Sequence, residues 1–114
     1  MASTNVWVKS GKVYNLFAEP GVTSTSTGNA VFKDSPFATF QATVAGTGAV
    51  TATVIIDCSN DGTYWCSTVL GTITLSGTTS SSDGFTTSAP WKYVRARVTA
   101  ISGTGATVQV YMGV

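Results

Sequence analysis

The chain has 114 residues, enough for one ordinary domain over 1–114 that buries roughly two-thirds of its unfolded surface without help from metals or disulfides. Hydrophobic residues make up 43% and charged residues 10%, with a formal net charge of +1, which excludes the high-charge, low-hydrophobicity composition of disordered chains. The six basic residues (Lys9, Lys12, Lys33, Lys92, Arg95, Arg97) are scattered enough to leave no counterion-releasing stripe for nucleic acid, and no apolar run approaches the ~18 residues of a membrane span.

Ser and Thr carry the polarity instead of charge, so electrostatic self-repulsion is weak and the surface tolerates dense packing against copies or partners. Met1 to Lys12 lacks the apolar core of a signal peptide, so the protein is expected to be made and kept in the cytoplasm, or to leave by lysis.

β-Branched and aromatic residues dominate, Gly and Ser/Thr clusters interrupt them about every ten residues, and no segment repeats apolar positions at helical spacing. Val6 to Lys9 and Val13 to Phe17 read as strands around the Ser10-Gly11-Lys12 turn, ended by Pro20-Gly21. Val22 to Asn29 reads as a loop or weak edge strand, and Val31 to Lys33 as a short strand before the Asp34-Ser35-Pro36 turn and the strand Phe37 to Val44. Beyond Ala45-Gly46-Thr47-Gly48, Val50 to Cys58 is the strongest candidate, a central strand with a continuous Val54-Ile55-Ile56 run.

Asn60-Asp61-Gly62 then predicts a hairpin into Tyr64 to Leu70, followed by Ile73 to Leu75 with Gly71 as a bulge. Gly77 to Gly84 reads as an exposed, mobile loop, Phe85 to Ser88 as a lead into Trp91 to Ala100, and Ser102-Gly103-Thr104-Gly105 as a turn returning the chain along Ala106 to Met112. An internal echo supports this parsing: Phe40 to Val44 then Gly46-Thr47-Gly48-Ala49, and Val94 to Val98 then Gly103-Thr104-Gly105-Ala106. The expected architecture is an all-β antiparallel sandwich of eight to ten short strands, jelly-roll-like or else immunoglobulin-like.

The sequence offers little for catalysis. There is no His, a single Glu (Glu19), and Asp34, Asp61 and Asp83 sit in turn contexts, where carboxylates usually fix backbone geometry. Without a base beside any Ser or Cys, and with two cysteines too few for a zinc shell, no catalytic, cofactor or metal site is expected. Cys58 and Cys66 flank the Asn-Asp-Gly turn as two buried thiols or, alternatively, a cross-hairpin disulfide. Asp57 stands apart, inside the strongest strand, where it needs a partner such as Arg95 or Arg97.

Two stretches, Val54 to Trp65 (VIIDCSNDGTYW) and Ala89 to Val98 (APWKYVRARV) with the closing Gly-Thr-Gly-Ala strand, resemble small virion proteins of tailed bacteriophages. With the length and the charge-poor surface, the chain looks like the capsid decoration proteins, also called cement or staple proteins, of short-tailed phages. The resemblance covers roughly the C-terminal half and carries no functional residue position by position. It implies a jelly-roll-like sandwich on the capsid exterior, dimeric or trimeric, bridging subunits of the major capsid protein.

Contact candidates are Trp7, Phe17 and the strand from Trp91 through Tyr93 to Arg95 and Arg97, whose arginines can pair with capsid carboxylates. The competing reading makes the aromatics core and the arginines a solvated face. Two other functions stay open: a carbohydrate-binding, adhesin-like module stacking sugars on Trp7, Trp65, Trp91 and Tyr93, and a neck, tail or head-fibre-base protein.

Overall fold

Alternation governs the two longest strands. In a computed structural model, which describes residues 12–114, β4 (Ala38–Ser59) buries Phe40, Ala42, Val44, Val50, Ala52, Val54 and Ile56 while the residues between them face outward. β7 (Tyr93–Gly113) does the same with Val94, Ala96 and Val98, then with Ala106, Val108, Val110 and Met112. Period-two burial over such lengths gives each strand one dry face, which must be covered by something.

The covering comes from the sheet itself. A straight strand of 22 residues would run about 73 Å at ~3.3 Å per residue, yet the longest dimension of the molecule is 44 Å. Both long strands bend midway, at Gly46 to Ala49 and at Ser102 to Gly105, and the bends lie side by side with Thr47 opposite Thr104. The first half of β4 pairs antiparallel with the second half of β7 (Thr39↔Gly113 to Ala45↔Thr107), and the second half of β4 with the first half of β7 (Thr51↔Ser102 to Ser59↔Tyr93).

β5 (Gly71–Gly77) lines the second half of β4, and β6 (Ser80–Thr87) lines the first. β1 (Val13–Asn15), β2 (Ser26–Thr27) and β3 (Val31–Phe32) line β7. Gly71 and Phe85 sit fourteen positions apart on this folded edge, yet a Cβ at Gly71 would lie 2.4 Å from the Phe85 ring. The two halves therefore face each other, and the apolar face is turned inward on itself around the stacked rings of Phe40 and Phe85.

The all-β, antiparallel expectation holds; among the described residues the hydrogen bonds join seven strands into one folded sheet, with β1-β7-β4-β5 as its path and β2, β3 and β6 pairing off it, where the sequence led us to expect a sandwich of short strands. The two Gly-Thr-Gly-Ala segments bend strands and do not reverse the chain, because each is paired with the other across the ladder. Gly77 to Gly84 is not a mobile loop: most of it belongs to β6, where Ser82 bonds Gln41 and Thr43 on β4. Tyr64 to Leu70 forms no strand, since the Ser59–Tyr64 turn captures the local backbone groups. The Val6 to Lys9 strand and Trp7 lie outside the described residues.

Candidate functional site

The outward positions at one end of the long ladder carry a charge cluster. Asp57 on β4 stands directly opposite Arg95 on β7, with Arg97 diagonal to it. Arg95 Nε donates to Asp57 Oδ2 at 2.9 Å, while Arg97 Nε and Nη2 donate to Oδ2 and Oδ1, each at 3.0 Å. The Asp57 side chain is 3% exposed, and those of Arg95 and Arg97 are 26% and 33% exposed.

Burial pushes the Asp57 pKa up, but hydrogen bonds from Arg97 and then Arg95 outweigh it and hold the carboxyl below its ordinary value. Two guanidiniums on one carboxylate leave one net positive charge on the face. The expectation that Asp57 needs Arg95 or Arg97 is met by both at once.

Aromatic groups frame this cluster. The Arg95 guanidinium lies 4.4 Å from the Trp65 ring centroid, a cation–π contact that fixes the plane of the guanidinium and closes that ring face to a stacking sugar. Tyr93 packs edge-on against Phe32, with ring centroids 5.7 Å apart. Phe32 is 53% exposed, so apolar surface lies beside Tyr93 at one end of this face.

The loop carrying Trp65 is held by short-range bonds. Ser59 Oγ accepts from Asp61 N and Gly62 N, and Asp61 Oδ1 accepts from the backbone N–H groups of Thr63 and Tyr64. Those two N–H groups, and then the Ser59 hydroxyl, hold the Asp61 carboxyl below its ordinary value. Asp61 thus fixes the turn, the role its Asn-Asp-Gly context suggests.

The contact candidates are only partly assembled. Tyr93, Arg95 and Arg97 share this face, joined by Asp57, Trp65 and Phe32, of which Trp65 and Phe32 had no place in the contact set. Trp91 lines a separate cleft of about 500 Å³ with Cys58 and the segment Cys66 to Leu70. Phe17 is 6% exposed and belongs to the core, so it offers no surface in the isolated chain. Both thiols are free: Cys66 N donates to Cys58 O at 3.1 Å, and burial, followed by the nearness of Cys66, raises the Cys58 pKa to about 11.

Replacing Asp57 with alanine is expected to cost about 2–3 kcal/mol at neutral pH, less than a fully buried pair because the stranded arginines can reach water. A carboxyl with a depressed folded pKa contributes stability that is complete above its unfolded value near pH ~4 and lost as pH falls through the folded value. Urea unfolding of both proteins should therefore show the wild-type advantage shrinking below pH ~4. A constant difference down to strongly acid pH would refute the assignment.

No protein-family profile and no curated protein matches the chain. Among solved structures, the crystal structure of the SPBc2 prophage-derived protein YomS is similar, with a TM-score of 0.60 over 96% of this chain and 97% of that one. Identity is 13%, so the likeness concerns the fold. No helix long and apolar enough to cross a membrane is present among the described residues.

Proposed function

We propose that the protein is a non-enzymatic structural component of a bacteriophage virion, a decoration or cement protein on the head exterior that bridges major capsid subunits. The observation that carries this reading is the preformed face of Arg95, Arg97, Trp65, Tyr93 and Phe32. Arg, Trp and Tyr are the residues that dominate protein interfaces energetically, and here the arginines are ordered before any partner arrives. A fold shared along nearly its whole length with a prophage-derived protein supports the phage setting. The charge-poor surface supports packing in many copies.

The test is deletion of the protein from its phage, followed by heating of the particles and protein quantification. Loss of heat resistance, with copies on the order of hundreds per particle, is expected for a cement protein on a symmetric shell. About a dozen copies per particle would place it in the neck or tail instead. Absence from purified particles would end the virion reading altogether.

A further inference from the structure

Among the described residues, the edge formed by β5 carries none of the usual guards against pairing. Exposed strands are protected by charges, prolines, bulges or a covering segment, because their free N–H and C=O groups template another strand. From Gly62 to Ser82 the sequence holds no charged residue and no proline. β5 pairs regularly with β4 along Val50 to Ile56, and among the described residues no backbone hydrogen bond reaches its other side.

The sequence of β5 is also a chemical palindrome. Gly71-Thr72-Ile73-Thr74-Leu75-Ser76-Gly77 reads, from either end, as glycine, small hydroxyl, branched aliphatic, threonine, branched aliphatic, small hydroxyl, glycine. Thr72, Thr74 and Ser76 are exposed, while Ile73 and Leu75 are buried.

We propose that β5 is a homodimer interface, in which two copies pair edge to edge, antiparallel, about a two-fold axis through Thr74. That axis sets Thr72 opposite Ser76, Ile73 opposite Leu75, Gly71 opposite Gly77, and Thr74 opposite itself. Hydroxyls meet hydroxyls on the wet face, aliphatics meet aliphatics on the dry one, and both cross-strand pairings are favourable. An isologous contact requires such self-complementarity, and a strand of a different protein would gain nothing from it. Without charge on the edge, the two copies meet with no like-charge repulsion. The inference goes beyond the virion role and does not depend on it.

Sedimentation velocity of the full chain, from low to high micromolar concentration, tests it. The wild type is expected to shift from 11.7 kDa to twice that mass. Thr74→Lys and Thr74→Glu each place like charges on the two-fold axis and should weaken the dimer at least ~10-fold, and mixing the two variants should restore it as a heterodimer. Circular dichroism of each variant checks that the fold is kept, as expected for an exposed position. A wild type that stays monomeric throughout, a dimer indifferent to both variants, or a mixture that stays monomeric would overturn the proposal.

Discussion

Lys33→Met should lower stability by about 3–5 kcal/mol, more than any other single side-chain truncation outside the apolar core. Lys33 is 2% exposed, and its ammonium group donates to three main-chain carbonyls: Ser35 at 2.8 Å, Pro36 at 2.9 Å and Ala89 at 2.6 Å. Three donors meet three acceptors, which is the full capacity of the group. Burial, and then the charge of Lys92, pull its pKa below the ordinary lysine value, and the three carbonyls offset that desolvation.

The bond set ties the link between β3 and β4 to the link between β6 and β7, next to the backbone bond from Lys33 N to Lys92 O. Methionine keeps the bulk of the stem and removes all three donors, leaving each carbonyl without a partner. For a domain of this size the loss corresponds to a fall in Tm of about 12 °C or more. Arginine should not rescue it, because a planar fork does not converge on three carbonyls in the space of an ammonium. Thermal unfolding of both variants is the measurement, and a Lys33→Met protein within a few degrees of wild type would show that the carbonyls find water instead.

Lys33 marks where the sequence stops being readable. A lysine after Val31-Phe32 looks like the polar end of a strand, and nothing local announces that carbonyls from residues 35, 36 and 89 converge on it. The alternation of Val94, Ala96 and Val98 with Arg95 and Arg97 was legible because period-two burial is a property of a strand alone, and Asp57 was legible because a carboxylate in an apolar strand demands a cation. β6 was hidden for the opposite reason: its ladder with β4 runs through the backbone, so Ser80-Ser81-Ser82 needs no apolar pattern to pair. Phe17 was misplaced because aromatic identity does not distinguish a core ring from a contact, whereas Trp91 is half-buried and lines a cleft of its own. Trp65 became visible as part of the face only once the Ser59–Tyr64 turn set it beneath Arg95.

The Gly-Thr-Gly-Ala echo was visible in the sequence, but its meaning depends on pairing between distant residues. The two echoing units run antiparallel to each other with their bends adjacent, so each bend must be tolerated by the other. Gly103 is where that tolerance is thinnest. Its φ of +121° is one that L side chains rarely adopt, and a Cβ there would sit 2.6 Å from the carbonyl oxygen of Ala49 and 2.8 Å from Cγ1 of Val50. Gly105, two residues on, has a φ of +66° and open space around it.

Gly103→Ala therefore combines backbone strain with a main-chain collision, and about 3–5 kcal/mol of destabilisation is expected, whereas Gly105→Ala should cost only about 1 kcal/mol. Losing the bend would separate the two halves and open the core between Phe40, Phe85 and Gly71, so Gly103→Ala should also expose apolar surface to a hydrophobic dye before global unfolding. Urea titration of the two variants side by side reads the difference. Equal midpoints would mean that the bend at Ser102 to Gly105 is not what folds the sheet over.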